Sequence, residues 1–182
     1  MIPPEKWKEA LEMNRKSKDY FFAQNFQSPI PMNERENFEG LKYFPPNQKY
    51  YLELELHEHG NKETIHIQDT KENMRNLLKW GEFIFEIDGK ECKLQAYKSD
   101  PNEKRFFVPF RDETSGKETY GAGKYFDLDE ENHKTPSGKW ILDFNVAYNP
   151  FCAYNENYAC PFVPPENWLK VPILAGEKKY HD

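Results

Sequence analysis

The first part of the chain has the hydrophobic spacing of a helix. Trp7 and Leu11 fall on one face at the helical period, and the polar Asn14 and Lys18 continue that face. Two prolines come before a segment whose early residues include an acid and whose later residues include bases, an order that suits the helix dipole. We therefore predict a helix over about residues 4–24. Because its apolar stripe is thin, the helix is expected to lie against a sheet.

Further along the chain the hydrophobic period changes to two, which is typical of strands. Leucines at positions 52, 54 and 56 alternate with polar residues, and a second alternating run covers residues 64–69. Gly60-Asn61 lies between the two runs and predicts that they form a hairpin.

A second hairpin is predicted around Asp88-Gly89. The alternating residues 83–87 lead into this pair, residues 92–96 follow it, and an Asp-Gly pair in this position is a strong hairpin indicator. Further short strands are predicted at 106–110, 124–127 and 140–144, with a last edge strand at 171–174.

Many short antiparallel strands after one helix predict a mainly β fold. Closing or bending a sheet protects its edges, so we expect a single-domain antiparallel barrel or bent sandwich. It should carry an N-terminal α-helix and a long irregular C-terminal loop segment. The predicted domain spans residues 1–182, with the helix at about 4–24 and the β domain at about 38–178.

Composition changes this picture in two ways. Hydrophobic residues form only 37% of the 182 residues but aromatic residues reach 16%, so the core should rest on Phe and Tyr. The net charge is −6 and the Lys and Arg residues are scattered, so no nucleic-acid partner is expected. No apolar run reaches the roughly 20 residues that span a bilayer, and the first residues lack the apolar core of a secretory signal. We expect a cytoplasmic protein without membrane contact.

Two segments concentrate polar, aromatic and glycine residues. The first covers residues 107–127, with Arg111-Asp112 at the end of a predicted strand and Gly116 at a predicted tight turn. The second covers residues 143–160, where Asn, Tyr and Cys cluster around Pro150 at a density that helices and strands do not require. Loops on a rigid scaffold often carry function, so both segments are candidates to line a site.

These segments carry a family resemblance. The chain resembles the domain of unknown function 1684 family of bacterial and archaeal proteins. The similar runs are residues 38–46, 108–112, 114–123, 143–145, 147–150, 152–154, 160–161, 164–167 and 175–178. The family pattern has Arg where Lys124 stands and Pro where Phe151 stands. The resemblance implies an identity without an assigned role, so it carries over no catalytic residues.

We predict that the two loops, 111–121 and 143–160, bind a small molecule. In this hypothesis Arg111 holds an anionic group, Asn145 and Asn149 fix orientation through hydrogen bonds, and tyrosine rings stack on the ligand. The predicted contact residues are Arg111, Glu118, Tyr120, Asp143, Asn145, Tyr148, Asn149 and Tyr154.

Two other hypotheses stay open at this point. In the first, the protein is an enzyme of hydrolase type, with Asp143 or Glu118 as general base and Arg111 as electrostatic stabiliser. In the second, the two loops lock each other and the protein is a structural or interaction module without a ligand. The oligomeric state and any cofactor stay unknown.

Metal and thiol chemistry are weaker candidates. Asp143 and Asn145 could offer oxygen ligands to a hard cation, but no His lies in either loop and no metal is expected. Cys152 and Cys160 are separated by seven residues and lack the spacing of common redox motifs. Two packed thiols are the favoured interpretation, and a redox pair is the alternative.

Overall fold

An N-terminal helix packs against antiparallel β-structure in the computed structural model, which describes residues 3–181. The outermost positions of the predicted domain, Met1, Ile2 and Asp182, lie outside the described residues.

The predicted helix is confirmed as α1, Pro4–Gln24. Pro4 occupies the first turn. Backbone N–H groups there have no partner within the helix, so the missing N–H of proline costs no helical hydrogen bond. The buried face carries Trp7, Leu11 and Phe22, and the rest of the helix is largely in contact with solvent. In the described residues, no helix combines the length and hydrophobicity required to cross a membrane.

Five antiparallel strands form the larger sheet in the order β2-β3-β4-β5-β6. They are β2 (His57–Gln68), β3 (Met74–Ile87), β4 (Lys90–Lys98), β5 (Arg105–Phe110) and β6 (Lys124–Asp129). β3 and β4 are paired along most of their length, whereas β4 and β5 are paired at the single position of Tyr97 and Phe107. β5 and β6, in contrast, are paired along their whole length and form a two-stranded ribbon at the end of the sheet.

A second sheet has two strands, β1 (Tyr51–Leu54) and β7 (Trp140–Asp143), which pair antiparallel. A short helix, α2 (Glu130–His133), joins β6 to β7. The mainly β, antiparallel fold with an N-terminal helix is thus confirmed, in the form of a bent sandwich. The two sheets do not close into a barrel across the described residues.

Aromatic residues dominate the core between these sheets, as composition predicted. Phe110, Phe126 and Phe144 form a mutually packed triangle with ring centroids 5.0–5.3 Å apart. Each of these three side chains is at most 2% exposed. Burial of such large rings supplies the hydrophobic stabilisation that the few aliphatic residues cannot.

A smaller hydrophobic cluster fastens α1 to the 143–160 segment. Phe22 packs with Ile30, Ala153 and Tyr154, and the rings of Phe22 and Tyr154 meet edge to face with centroids 5.0 Å apart. The helix therefore lies against the irregular segment as well as against a sheet. The hydrophobic pattern of the helix predicted the contact with a sheet but not the contact with this segment.

The predicted Asp88-Gly89 hairpin is confirmed. Asp88 has φ 51° and Gly89 has φ 76°, so both central residues adopt the left-handed conformation of a type I′ turn. The adjacent Ile87 and Lys90 are paired, which closes β3 onto β4.

The predicted hairpin at Gly60-Asn61 is wrong. β2 continues through these residues as one strand. Its register with β3 shifts between Glu58 and Glu63, as at a β-bulge. The leucine-rich strand before it is β1, whose partner is β7. Alternation correctly identified two strands, but it cannot tell which strand pairs with which.

The predicted edge strand at 171–174 is also wrong. This segment joins no sheet, although Val171 and Ile173 are buried against the main core. Pro172 cannot donate to a ladder, and the backbone N–H of Ile173 donates to Asp112 Oδ1 at 3.3 Å instead. Together with the short helical turns before it, the segment belongs to the long irregular C-terminal region that was predicted.

Candidate functional site

Asp143 and Asn145, two of the predicted contact residues, lie together at the end of β7. Asp143 Oδ2 accepts a hydrogen bond from Trp7 Nε1 at 2.7 Å. Its Oδ1 accepts from the backbone and side chain of Asn145, at 2.9 and 2.8 Å. Asn145 also exchanges two bonds of 2.9 Å with the backbone of Asn47. Both side chains therefore use their hydrogen-bonding groups to fasten α1 and the chain before β1 to β7.

Asn149 and Tyr154 converge on a buried carboxylate that was not among the predicted residues. Glu177 is 1% exposed and accepts hydrogen bonds from the Asn149 backbone, at 2.8 Å, and from the Tyr154 hydroxyl. Lys18 of α1 forms an ion pair with its other oxygen. Burial, followed by the charge of Glu177, raises the pKa of Tyr154 well above its ordinary value, so this phenol stays a donor. We call these four residues the Glu177 cluster.

A buried lysine lies close to the Glu177 cluster. Lys124 Nζ donates to the carbonyl of Ala175 at 2.8 Å and lies 4.0 Å from Asp112 Oδ2. Burial lowers the pKa of Lys124 to about 8, although the charges of Asp112 and Glu177 act in the opposite direction. Asp112 Oδ1 accepts from the backbone of Thr114 at 2.7 Å. This is a charged interior whose groups are tied mainly to the backbone of the irregular C-terminal region.

Gly123, which precedes Lys124, has a conformation that only glycine adopts easily. Its φ is 106°, and a Cβ atom there would lie 2.5 Å from the carbonyl oxygen of Phe110. The backbones of β5 and β6 therefore approach closely at this position. The absence of a side chain at Gly123 lets the start of β6 pack directly on the end of β5.

The remaining predicted residues have separate surroundings. The Arg111 guanidinium lies over the ring of Trp168, 4.6 Å from its centroid, and Glu118 is exposed. The Tyr148 hydroxyl donates to Asp127, and burial raises the pKa of Tyr148. The Tyr120 hydroxyl lies 3.6 Å from Cys152 Sγ. The structure thus brings together Asp143 with Asn145 and Asn149 with Tyr154. Tyr148 borders the second pair, since Lys18 Nζ of the Glu177 cluster lies 5.3 Å from its ring centroid, whereas Arg111, Glu118 and Tyr120 contact different neighbours.

A large open groove lies at the opposite end of the β5–β6 ribbon from Arg111. Its larger part has a volume of about 880 Å³, and an adjoining part has about 410 Å³. The residues that line both parts are Lys98, Phe106, Glu130 and Trp140, and Trp80 lines the smaller part. We call these five residues and the space between them the aromatic groove.

Local turn chemistry shapes the walls of the aromatic groove. On one side, Asp100 Oδ1 accepts from the backbone of Asn102 at 2.7 Å, which folds the β4–β5 connection into a tight turn. On the other side, Asp129 Oδ1 accepts from the backbone of Asn132 at 2.8 Å and caps α2. The two walls therefore consist of short connections with ordered backbones.

Cations and rings alternate on the floor of the aromatic groove. The Lys98 ammonium lies 4.0 Å from the Trp80 ring centroid and 4.9 Å from that of Phe106. Phe106 meets Trp140 edge to face at 5.1 Å, and Lys134 lies 5.4 Å from the Trp140 centroid. These distances are in the range of cation–π attraction.

Acidic residues lie beside the lysines of the aromatic groove, and Glu130 forms an ion pair of 2.8 Å with Lys134. A hydrogen bond from Lys134 lowers the pKa of Glu130, and one from the Asn132 backbone lowers the pKa of Asp129. Both carboxylates are therefore ionised acceptors at neutral pH. The walls offer acceptors beside the lysine and asparagine donors.

The groove residues were not among the predicted contact residues. They come from chain positions that are far apart, and alternation showed only that Phe106 and Trp140 belong to strands. Turn-forming residues at 99–102 and 135–138 beside these aromatic strands were the pattern that could have indicated a lined opening. Within residues 3–181, no group of three or more His, Cys, Asp or Glu side chains is arranged to hold a metal ion.

The family model described as a protein of unknown function, DUF1684, matches residues 36–178. This match covers most of the chain. The chain belongs to the DUF1684 family. The resemblance drawn from the two loop segments is thereby confirmed, and the description of the DUF1684 family names no activity.

A solved structure resembles this DUF1684 protein along nearly its whole length. It is the solution NMR structure of an uncharacterised protein of Haloarcula marismortui, with 37% sequence identity and a TM-score of 0.72. The similarity covers 96% of this chain and 95% of that one. None of the curated proteins matches the chain. The comparisons therefore establish the family and the fold.

Proposed function

We propose that this protein binds a small molecule and that the aromatic groove is the binding site. The observation that carries the proposal is the volume of about 880 Å³, whose lining combines Phe106 and Trp140 with charged and amide side chains. Sites for small molecules are concave, of roughly 300–1,000 Å³, and lined by aromatic side chains with a few placed polar groups. The cytoplasmic location expected from the sequence is kept as part of this proposal.

The chemistry of the groove favours a flat or ring-shaped ligand that carries hydroxyl groups. A ligand can contact the partly exposed side chain of Trp80, over whose ring the ammonium groups of Lys98 and Lys62 lie 4.0 and 4.6 Å from the centroid. Lysine and asparagine donors lie beside carboxylate acceptors on the walls, so a hydroxyl group can both donate and accept. Since cations and anions line the same walls, a strongly charged ligand of either sign would meet repulsion as well as attraction. Sugars and nucleosides fit these requirements.

The loops 111–121 and 143–160 remain a second location for a ligand. The observation that favours it is a cavity of about 400 Å³ beside residues 152–157, with Tyr154 and Cys152 in its wall. Compared with the aromatic groove, this cavity is smaller, and the hydroxyl of Tyr154 is already bonded to Glu177.

The enzyme hypothesis gains no support from the geometry. This hypothesis required Asp143 or Glu118 to be a carboxylate in a closed pocket that is free to accept a proton from a substrate. Asp143 accepts three hydrogen bonds from Trp7 and Asn145, and Glu118 is exposed. We therefore propose that the aromatic groove binds its ligand without transforming it.

Tryptophan fluorescence tests the proposal because the aromatic groove contains a tryptophan at its surface, whereas the cavity beside residues 152–157 is lined by none. Trp80 lies in the aromatic groove, whereas Trp168 lies under Arg111 beside the loop 111–121. The wild-type protein is titrated with a panel of monosaccharides, disaccharides and nucleosides. We expect a saturable change in emission that is reduced in Trp80→Phe and retained in Trp168→Phe.

Two substitutions in the walls of the aromatic groove test whether polar groups there contribute to the affinity for the ligand. Asn102→Ala and Glu131→Ala each remove a polar group from the groove wall. Loss of one hydrogen bond should weaken binding about three- to tenfold. Lys117→Ala, on the exposed turn at the other end of the ribbon, serves as the control and should bind like the wild type. A panel without any saturable response, or a response that disappears only in Trp168→Phe, would overturn the assignment to the groove.

A further inference from the structure

Two of the three cysteines lie next to each other in the fold. The backbone N–H of Cys152 donates to Cys160 Sγ at 3.3 Å, and both residues carry free thiols. The Tyr120 hydroxyl lies 3.6 Å from Cys152 Sγ, on the other side of the pair. Cys92, the third cysteine, is buried in β4. The chain thus contains a paired thiol site and an isolated thiol that can serve as its internal reference.

The two thiols differ in access and in anchoring. Cys152 is partly exposed and lines the open cavity of about 400 Å³, together with Glu34, Asn155 and His181. Cys160 is buried and fixed to the end of β2, because its N–H donates to Thr70 Oγ1 at 3.1 Å and its carbonyl accepts from the Thr70 backbone at 3.0 Å. A dissolved oxidant can therefore reach the Cys152 thiol, whereas the Cys160 thiol is shielded from solvent.

We propose that Cys152 and Cys160 form a peroxide-reactive thiol pair that closes a disulfide within the 143–160 loop. The geometry points to Cys152 as the attacking thiol and Cys160 as the resolving thiol. The proposal does not depend on ligand binding in the aromatic groove.

The reaction balances with hydrogen peroxide as the oxidant. The Cys152 thiolate attacks one peroxide oxygen, the O–O bond breaks, and the departing hydroxide takes up a proton to become water. Cys152 is then a sulfenic acid. The Cys160 sulfur attacks the Cys152 sulfur, the S–O bond breaks, and a second water leaves with the Cys160 proton. Two thiols thus lose two electrons and two protons, and one peroxide becomes two waters.

The electrostatic surroundings agree with these roles. Hydrogen bonding by Cys160, with help from the Tyr120 hydroxyl, lowers the pKa of Cys152 to about 7. The same interaction with Cys152, together with burial, raises the pKa of Cys160. The exposed partner is therefore the one that supplies thiolate at neutral pH, which is the form that reacts.

Peptide mass spectrometry tests the proposal on the reduced, full-length protein. Residues 140–170 contain both cysteines and no internal Lys or Arg, so trypsin releases the pair in one peptide. After treatment with hydrogen peroxide and alkylation, this peptide should lose two hydrogens and escape alkylation, while Cys92 stays alkylatable once the protein is unfolded. The rate should rise about fivefold from pH 6 to pH 7, as a thiolate with a pKa of about 7 forms.

Three variants separate the roles of the residues. Cys160→Ser should accumulate a sulfenic acid at Cys152 that dimedone traps, and Cys152→Ser should leave Cys160 reduced over the same time. Tyr120→Phe removes a donor from the thiolate and should move the midpoint of the pH–rate profile upward. Cys92→Ser is the matched control and should react like the wild type. The proposal is overturned if Cys92 oxidises as fast as Cys152, if disulfides form only between molecules, or if the rate is unchanged from pH 6 to pH 7.

Discussion

Replacing Lys124 with methionine should change how the stability of this protein depends on pH. Lys124 is fully buried, and its pKa falls from 10.5 to about 8 on folding. Between these two values the unfolded chain binds the Lys124 proton more tightly than the folded protein does. Since the unfolded state then holds more protons, the free energy of unfolding rises with pH across this window. Below pH 8 both states are protonated and the contribution of Lys124 is constant and at its least favourable.

The size of the effect follows from the two pKa values. Each pH unit between them is worth about 1.4 kcal/mol, so the full window corresponds to roughly 3 kcal/mol. Near pH 9 the wild type should gain about 1.2 kcal/mol of unfolding free energy per pH unit from Lys124 alone. The Met side chain has a similar length and no charge, so Lys124→Met should lack this slope.

Urea unfolding followed by tryptophan fluorescence, at intervals from pH 7.5 to 9.5, measures the slope. The thiol pair titrates in the same range, but it is present in both proteins, so the difference between their slopes isolates Lys124. Lys117→Met, at an exposed position in the neighbouring turn, is the control and should keep the wild-type slope. Equal slopes in the wild type and Lys124→Met would show that Lys124 does not become harder to protonate on folding, which would refute the argument.

Three substitutions test the packing that supports the irregular C-terminal region, each by urea unfolding. Phe22→Ala removes a side chain that is 2% exposed and should cost about 3–5 kcal/mol, whereas Phe26→Ala, at an exposed position, should cost little. Gly123→Ala should destabilise the protein more than the ordinary cost of about 1 kcal/mol, since its Cβ would lie 2.5 Å from the Phe110 carbonyl; a neutral result would contradict that close approach. Asn167→Ala should cost about 2–4 kcal/mol, because it leaves the backbone groups of Gln95 unpaired in the interior.

Local structure could be predicted from the sequence because its causes are local. The helix follows from Pro4 and the spacing of Trp7 and Leu11, and the hairpin at Asp88-Gly89 follows from two residues that tolerate positive φ. The pairing of β1 could not be predicted in the same way. Its partner β7 is distant in sequence, and the nearer alternating run at 64–69 suggested a simpler connection.

The candidate site shows the same limit. Asn145 and Asn149 were predicted to contact a ligand, but an amide that binds a ligand and one that binds distant backbone are identical in sequence. Asn145 bonds Asn47, and Asn149 bonds the Lys178 carbonyl at 2.9 Å. The aromatic groove combines residues of β3, β4, β5, β7 and α2, so no single segment encodes it.

The ion pair between Lys18 and Glu177 also sets an order of events during synthesis. The two residues are 159 positions apart, so α1 exists long before its buried partner does. At a translation rate of about 5–20 residues per second, the interval is roughly 10–30 s. Over that time the Phe22 face of the nascent helix lacks both Tyr154 and Glu177. The native contacts of this helix face therefore cannot be completed until the C-terminal region has been synthesised.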